Sequence, residues 1–152
     1  RRVLFRSGLS DHTIRVLDAE TYITKQILET HNNSIFTVES IDNQTFLSAG
    51  RDALILVWKR ENELWNLNET IQAHLYTVNH LTLSPDKKYL ASASRDKTIK
   101  IWDAKNLKLL KVIDREKFPD SHSHSVNKLL WLSDHQLLST GDDKKIISWK
   151  IN

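Results

Sequence analysis

The sequence predicts an all-β protein built from repeated units, and the first observation behind this prediction is a short recurring pattern. The pattern is a Ser, an Asp four residues later, and a Trp or Leu six residues after the Asp, at the end of an apolar segment. Its copies follow one another at roughly 40 to 47 residues, which is the repeat length of a four-stranded propeller blade. The copies are Ser7/Asp11/Leu17, Ser48/Asp52/Trp58, Ser92/Asp96/Trp102 and Ser139/Asp143/Trp149.

The second observation is that short apolar segments separated by polar turns account for nearly the whole chain. Such segments are typical of β-strands, and no helical period is sustained. When the four strands of a blade are named a to d from the axis outward, the segments predict the order bcd, abcd, abcd and abc. The predicted strands span residues 13–17, 22–28, 34–41, 45–49, 54–58, 64–71, 77–83, 89–94, 98–102, 107–113, 126–132, 136–140 and 146–149.

The length of the chain predicts a partial ring. A closed propeller with this repeat needs roughly 300 residues, and this chain has 152. We expect an incomplete blade over residues 1–30, complete blades over 31–73 and 74–121, and a three-stranded closing blade over 122–152. Propellers that share one blade between their two termini end in this way. We therefore expect the C-terminal half of a propeller, with an arbitrary cut as the alternative.

The first seven residues are expected to be foreign to the protein. The heptapeptide RRVLFRS at residues 1–7 resembles one reading frame of a short-read sequencing adapter. It would then be a cloning or assembly scar, the native chain would begin near Gly8, and Ser7 would match the repeat partly by accident. The alternative is a genuine strand that was cut at an arbitrary point.

Composition and charge narrow the possible classes of function. The chain has 22 basic and 19 acidic residues without a basic run, a balance that does not favour specific nucleic-acid binding. It contains no cysteine and no Gly-rich phosphate loop, so we expect no metal and no cofactor. No apolar run approaches the roughly 20 residues of a membrane span, and no signal peptide is visible. We expect a cytoplasmic protein without membrane contact.

The segment from Ser92 to Asp103 closely resembles the core motif of the tryptophan-aspartate (WD) repeat β-propeller family. The matching residues are Ser92 and the run RDKTIKIWD that begins at Arg95. Three copies in register and a fourth, degraded copy extend the resemblance over residues 8–152. The resemblance implies a partial β-propeller of about three and a half four-stranded antiparallel blades, a fold that usually serves as a docking platform.

The resemblance also implies three structural tetrads. A His lies 17 or 18 residues before the Ser of each complete copy. In the family, the Trp indole N–H donates to the Ser, the Ser to the His and the His to the Asp, so that a Trp buried between blades satisfies its only donor. The first copy has Leu17 in place of Trp, so no tetrad is expected there. The implied tetrads are His31/Ser48/Asp52/Trp58, His74/Ser92/Asp96/Trp102 and His122/Ser139/Asp143/Trp149.

A catalytic interpretation of these groups is not favoured. Ser, His and Asp can form a nucleophilic triad. Here the group recurs in every complete copy, in register with the strands, whereas an active site would occur once. We therefore do not expect an enzyme. His124 lies two residues after His122, which is already assigned to a tetrad, and no other His or Cys is near it in the sequence. It is therefore interpreted as a loop residue rather than a metal ligand.

By resemblance, partners dock on the face formed by the d–a loops and the b–c turns. The side chains that point there flank the first apolar residue of strand a, and one more precedes the turn Asp. Phe36 with Arg51 is the most promising pair, because aromatic and Arg side chains carry most interface energy. The alternative is that Phe36 packs partly against the next blade and that Arg51 and Arg95 are solvated. The transferred set is Ser10, Ser34, Phe36, Arg51, Thr77, Asn79, Arg95, Ser125, Asn127 and Asp142.

The predicted function is a non-catalytic protein–protein interaction scaffold that binds proteins or peptides on this face. One alternative is a regulatory or targeting propeller domain of a larger enzyme, whose catalytic motif would lie upstream. Another is a weak nucleic-acid-associated scaffold, whose affinity would fall steeply with salt. Because an open ring leaves blade faces and sheet edges uncovered, the chain alone is expected to form dimers or aggregates.

Overall fold

The computed structural model describes residues 4–151, with side chains from Arg6 onward, and the described residues form antiparallel sheets. No residue of this range is helical, so no helix within it could cross a membrane. The predicted all-β fold is therefore confirmed. The strands are β1 (Leu4–Gly8), β2 (Ile14–Asp18), β3 (Thr24–Leu28), β4 (Ile35–Ser40), β5 (Thr45–Gly50), β6 (Leu54–Glu61), β7 (Leu64–Gln72), β8 (Val78–Leu83), β9 (Tyr89–Ser94), β10 (Ile99–Asp103), β11 (Leu109–Ile113), β12 (Val126–Ser133), β13 (Gln136–Gly141) and β14 (Ile146–Lys150).

The strands pair only with their neighbours along the chain, so each of the four sheets is a meander. Blade 1 contains β1, β2 and β3, and blade 2 contains β4 to β7. Blade 3 contains β8 to β11, and blade 4 contains β12, β13 and β14. With strands lettered from the axis outward, the order is bcd, abcd, abcd and abc, as the sequence predicts.

Two outer strands begin later than predicted, because a turn held by an Asp occupies their expected start. The prediction started β3 and β11 at residues 22 and 107. Tyr22 and Leu107 instead have φ angles of 57° and 56°, in the left-handed region that interrupts a strand. The carboxylates of Asp18 and Asp103 each accept two backbone N–H bonds from the turn that precedes these residues.

Strand β6 is longer than predicted, because a tight hairpin joins it to β7. The prediction ended this strand at Trp58, whereas β6 continues to Glu61. The two turn residues, Asn62 and Glu63, have φ angles of 49° and 71°. Two successive left-handed residues form the kind of turn whose twist matches that of the flanking strands. Blade 2 therefore has the longest outer pair of strands.

Three apolar clusters, one between each pair of neighbouring blades, hold the blades together. Because every cluster draws side chains from two blades, no described blade has a core of its own, and stability lies in the interfaces between neighbours. Blades 1 and 2 enclose Ile14, Val16, Phe46, Trp58 and Trp65. Blades 2 and 3 enclose Leu47, Ile55, Val57, Leu81 and Leu90. Blades 3 and 4 enclose Ala91, Ile99, Leu129, Trp131 and Leu137.

Arg6 anchors the first strand to blade 2. Its guanidinium lies 4.3 Å from the centre of the Trp65 ring and 4.9 Å from that of Phe46, and it donates to Ser40 Oγ at 3.0 Å. Such cation–π contacts gain strength when the charge is desolvated. Residues 1–3 lie outside the described residues, and the resemblance of residues 1–7 to a sequencing adapter stays a prediction.

Candidate interaction face and the tetrads beneath it

Blades 2, 3 and 4 each contain one chain of hydrogen bonds that joins a Trp, a Ser, a His and an Asp. In blade 3, Ser92 Oγ lies 2.9 Å from Trp102 Nε1 and 2.8 Å from His74 Nε2. His74 Nδ1 lies 2.8 Å from Asp96 Oδ2. The matching distances are 2.8, 2.6 and 2.7 Å in blade 2 and 2.8 Å throughout in blade 4. The structure brings together His31/Ser48/Asp52/Trp58, His74/Ser92/Asp96/Trp102 and His122/Ser139/Asp143/Trp149.

The expectation that every tetrad Trp is buried is wrong for Trp149 in blade 4. Trp149 is only partly buried, whereas Trp58 and Trp102 are 2% and 4% exposed. Strands β7 and β11 flank the outer side of the strands that carry Trp58 and Trp102. Within residues 4–151 no strand pairs with the outer side of β14, so the ring of Trp149 remains partly in contact with solvent.

Trp149 nevertheless keeps the hydrogen bond that the tetrad requires. Its indole N–H donates to Ser139 Oγ at 2.8 Å. The ring of Phe118 packs edge-on against Trp149, with 6.0 Å between the ring centres, and covers part of the indole. The blade 4 tetrad therefore has the predicted bonds but less of the burial that strengthens them in blades 2 and 3.

The direction of these bonds follows from the chemistry of the indole. An indole N–H can only donate, so the Ser oxygen accepts it and turns its own proton toward the His Nε2. The neutral imidazole then carries its proton on Nδ1 and donates it to the Asp carboxylate. In blade 3, Ser92 is 0% exposed and His74 is 2% exposed. Each member therefore depends on the others for its hydrogen bonds.

The electrostatics favour a neutral His beside an ionised Asp. Burial lowers the pKa of His74, and the neighbouring Asp96 opposes this effect only in part. Burial alone would raise the pKa of Asp96, but bonds from His74 and from the backbone of Leu75 outweigh it and hold that pKa well below its usual range. Burial alone would also raise the pKa of Asp143, but the hydrogen bond from His122 helps to lower that pKa to about 2.

The tetrads leave no nucleophile open to a substrate. The Ser residues of all three tetrads are 0% exposed, and each hydroxyl is already engaged by an indole and an imidazole. Within residues 4–151, no group of three or more His, Asp or Glu side chains is placed to hold a metal ion. His124 Nδ1 lies 2.9 Å from the hydroxyl of its neighbour Ser123. The arrangement is suited to structural support rather than chemistry.

Blade 1 has the turn of the repeat but a different interior. Asp11 Oδ1 accepts the backbone N–H and the hydroxyl of Thr13 at 3.1 and 2.8 Å. The Asp11 side chain is 53% exposed and lies 3.8 Å from Arg15. Leu17 stands at the strand position of the Trp and pairs with Thr24. Asp11 therefore stabilises its own turn locally.

Each tetrad Asp also fixes the loop that enters its blade. The backbone N–H groups of Asn32, Leu75 and Ser123 donate to the tetrad carboxylates at 3.3, 3.1 and 3.0 Å. Each of these residues directly follows a tetrad His, so the d–a loop and the b–c turn of a blade are joined through one carboxylate. We call the surface formed by the d–a loops 31–34, 74–77 and 122–125 and the b–c turns 9–13, 51–53, 95–98 and 142–145 the loop face.

Four of the ten predicted partner-binding residues are well exposed, and their side chains form no hydrogen bond or ion pair with the other residues that the structure describes. Phe36 is 52% exposed, which leaves about half of this aromatic side chain available for contact. Ser10, Arg51 and Arg95 are also exposed. Large apolar and Arg side chains in such positions are the kind that anchor protein interfaces.

Ser34 and Thr77 support the loop face mainly through their backbone carbonyls, and the hydroxyl of Ser34 also donates to the carbonyl of Ser10 at 3.3 Å. The carbonyl of Ser34 accepts the N–H of Arg51 at 2.9 Å, and the carbonyl of Thr77 accepts that of Arg95 at 2.9 Å. Thr77 is only 8% exposed and offers little side-chain surface to a partner. A Cβ added to Gly50 would lie 2.1 Å from the Ser34 carbonyl, so this close approach requires glycine. These contacts hold the two Arg turns in place.

The remaining predicted residues form a hydrogen-bond network between blades 3 and 4. Asn79 Nδ2 donates to Ser125 Oγ at 2.9 Å and to the carbonyl of Val126 at 2.8 Å. Ser125 Oγ donates to Asn127 Oδ1 at 3.0 Å, and Asn127 Nδ2 donates to Asp142 Oδ1 at 2.6 Å. Their polar groups are thus largely committed to joining two blades. A partner would gain fewer new hydrogen bonds here than at the exposed Arg side chains.

Two residues of the loop face were missed by the sequence-based prediction. Leu75 is 83% exposed and Tyr76 is 61% exposed. The N–H of His74 donates to the carbonyl of Ala53 at 3.2 Å, which places this loop beside the b–c turn of blade 2. The clue in the sequence is that the same two positions are polar in the other loops, with Asn32 and Asn33 in blade 2. An exposed apolar pair at positions that are polar in the other blades indicates a contact site for a partner.

The fold and the repeated tetrads define a WD-repeat β-propeller protein. Residues 23–59, 65–103 and 115–150 match the WD domain, G-beta repeat family, so the chain belongs to this family. The resemblance seen in the sequence is thereby confirmed. The crystal structure of the computationally designed Ika4 protein superimposes with a TM-score of 0.81 at 23% identity, over 100% of this chain and 88% of that one. At this identity the likeness concerns the fold alone.

Several natural relatives are much longer than this chain. Elongator complex protein 2 from Schizosaccharomyces pombe is 27% identical over 95% of this chain and 20% of its own length. The ribosome biogenesis protein WDR12 homolog from Nematostella vectensis is 32% identical over 90% of this chain and 32% of its own length. Protein transport protein SEC13 from Saccharomyces cerevisiae is 31% identical over 73% and 39%. The chain thus spans between a fifth and two fifths of these relatives.

Removal of one tetrad hydroxyl should destabilise the fold. Ser92→Ala leaves Trp102 Nε1 and His74 Nε2 without their shared partner, and each buried polar atom that loses its hydrogen bond costs about 1–3 kcal/mol. We expect the free energy of unfolding to fall by about 2–4 kcal/mol, measured by chemical denaturation. The matched control is Ser7→Ala, at the same repeat position in blade 1, with an expected change below about 0.5 kcal/mol. Equally small changes in both variants would contradict a stabilising role for the tetrad.

His80 in β8 is a further histidine whose surroundings oppose protonation. Its Nδ1 accepts the backbone N–H of Leu129 at 3.2 Å. Burial, and to a smaller extent the neighbouring charge of Lys128, lowers the pKa of His80 from 6.5 to about 4. As the pH falls, the unfolded chain therefore takes up a proton before the folded chain does.

Stability should accordingly fall as the pH is lowered from 6.5 to about 4, because His80 and His74 are both easier to protonate in the unfolded chain. The tetrad carboxylates, with their lowered pKa values, add a further loss below about pH 4. His80→Asn keeps an acceptor for Leu129 but cannot titrate, so the dependence of the unfolding midpoint on pH should become shallower. Calorimetry across this pH range measures the slope, with His124→Asn as the control. Equal slopes for wild type and His80→Asn would rule out this origin.

Proposed function

We propose that this chain is a non-catalytic interaction scaffold that docks other proteins or peptides on the loop face. The proposal rests on one observation: at the loop face, some residues support the loops and different residues are exposed to a partner. Buried tetrads fix the loops, while Phe36, Arg51 and Arg95 remain exposed and lie outside the apolar clusters between the blades. Because the backbone of these loops is already fixed, less entropy is lost when a partner binds there, which favours recognition.

The names of relatives support an interaction role. One is a p21-activated protein kinase-interacting protein 1-like protein from Gallus gallus, 25% identical over 96% of this chain and 37% of its own length. Another is a component of the Elongator complex. Because the relatives are longer, a regulatory or targeting domain of a larger enzyme is the alternative function. A cytoplasmic location stays a prediction from the sequence.

Replacing the two leading anchors should abolish partner capture. In the double variant Phe36→Ala/Arg51→Ala, truncation of an aromatic and an Arg anchor removes the contacts that dominate interfaces, so bound partner should fall at least about tenfold. Affinity capture with quantitative mass spectrometry, wild type against variant, measures this loss. The matched control is Leu110→Ala/Lys111→Ala on outer strand β11. The proposal fails if a folded Phe36→Ala/Arg51→Ala variant captures the same partners at the same level.

We also propose that the chain, on its own, self-associates through the outward face of blade 4. Ile146 is 73% exposed there, whereas Ile55 and Ile99, at the same position in blades 2 and 3, are 1% exposed. In blades 2 and 3 the following blade covers this face. Leu130, on the same face, is 59% exposed. A blade of a second copy matches this surface because the fold packs such faces on neighbouring blades.

Charges on the outward face of blade 4 should drive the chain toward the monomer. In Leu130→Glu/Ile146→Lys, association would bury charges in an apolar contact, which is strongly unfavourable. Size-exclusion chromatography with light scattering, over a range of concentrations, gives the mass. Leu64→Lys, which charges a similarly exposed position on β7, is the control and should leave the mass unchanged. A monomeric wild-type chain at all concentrations would refute the proposal.

A further inference from the structure

We infer that the partner segment recognised at the loop face is acidic and carries a central apolar side chain. This inference rests on the proposed function and specifies its ligand. The site is the sector between blades 2 and 3, which we call the basic–apolar patch. It consists of Phe36, Arg51, Leu75, Tyr76, Arg95 and Lys97.

Backbone hydrogen bonds place the apolar part of the patch between two arginines. His74 N–H donates to the carbonyl of Ala53, two residues after Arg51. At its other end, the same loop accepts the N–H of Arg95 through the carbonyl of Thr77. Leu75 and Tyr76 therefore project from a loop whose two ends are bonded to the turns that carry Arg51 and Arg95.

The loop that presents the apolar pair is held firmly. The N–H of Leu75 donates to Asp96 Oδ2 at 3.1 Å, and the carbonyl of Tyr76 accepts Ser94 Oγ at 3.3 Å. Leu75 and Tyr76 are nevertheless 83% and 61% exposed. A loop that displays two large apolar side chains while its backbone is pinned resembles a preformed anchor site rather than a stretch awaiting burial within the chain.

The accessible charge of the patch is positive. The two acidic residues of these turns, Asp52 and Asp96, have side chains only 7% and 4% exposed and are bonded to the tetrad His residues. Arg51, Arg95 and Lys97 are exposed, and within residues 4–151 none of them lies within ion-pair distance of a carboxylate. A partner therefore meets cations here, whereas the matching anions are buried.

The rest of the loop face carries charges of both signs, since the exposed Lys144 and Lys145 of blade 4 share their turn with the exposed Asp142. In blade 1, Arg15 is paired with Asp11 at 3.8 Å. In blade 4, the exposed Asp142 is bonded by Asn127, and Asp142 would repel a second acidic segment. Nucleic acid favours a basic track several nucleotides long. The short basic sector with an apolar centre fits an acidic peptide with one apolar anchor better.

Fluorescence anisotropy with a designed peptide tests this inference. The probe is a fluorescein-labelled peptide with a Leu-Phe pair inside a run of Glu and Asp. We expect the peptide to bind, with affinity falling as salt is raised. Changing its acidic residues to Gln and Asn should weaken binding at least about tenfold, because the basic side chains of the patch lose their ionic partners. Changing its Leu-Phe pair to Ser-Ser should weaken binding by a similar factor, because the apolar side chains of the patch lose their contacts.

Variants of the protein locate the site. Leu75→Ser/Tyr76→Ser and Arg51→Glu/Arg95→Glu should each weaken peptide binding at least about tenfold. All four residues lie at the surface, so the unfolding midpoint should stay near that of wild type. Leu110→Ser and Lys105→Glu are the matched controls, because they change an exposed Leu and an exposed Lys away from the loop face. Both should bind the peptide like wild type.

The possible failures are distinguishable. Equal binding of the Gln/Asn peptide, or tighter binding of oligothymidine that competes with the acidic peptide, would overturn the inference. If the acidic peptide does not bind while partner capture still depends on Phe36 and Arg51, the inference fails and the scaffold proposal stands. If capture is also insensitive to Phe36 and Arg51, both fail.

Discussion

The structure depends on the need of a buried indole to donate its one hydrogen. In blades 2 and 3 the repeat Trp is buried, and the Ser hydroxyl beneath it is the acceptor it uses. The proton of that hydroxyl then requires an acceptor, which is the His, and the His requires the Asp. Trp149 makes the same bond although its ring is only partly buried, and its Ser and His partners are fully buried. One packing requirement therefore extends from the sheet to the loops at its edge.

At the loop face, the residues that support the blades are different from the residues that are available to a partner. Asn79 and Asn127 commit much of their hydrogen-bonding capacity to joining blades 3 and 4. Arg51 and Arg95 use only their backbone N–H groups in the bonds that hold their turns. The same surface thus contains side chains that rigidify it and side chains that remain accessible, and only the second kind can change without disturbing the blades.

Much of the fold could be predicted because the repeat imposes its own register. The spacing of His, Ser, Asp and Trp identifies residues that lie far apart in sequence and within 3 Å in the structure, such as His74 and Asp96. The starts of β3 and β11 were wrong, because Tyr22 and Leu107 adopt a left-handed conformation that no apolar pattern encodes. The exposure of Leu75 was missed because an apolar residue is ordinarily expected inside, although the polar residues at the same position of the other loops were a clue. Trp149 matches its motif in sequence, but its burial depends on an outer strand, which a motif of four residues does not describe.

No described blade has an apolar core of its own. The backbone amides of different blades are therefore expected to exchange with solvent in a definite order. Blades 2 and 3 each share clusters with two neighbours, whereas blades 1 and 4 each share one within residues 4–151. Opening blade 1 or 4 breaks a single interface, whereas opening a middle blade breaks two. Deuterium should therefore enter from both sides of the array, and β5 and β9 should retain their protons longest.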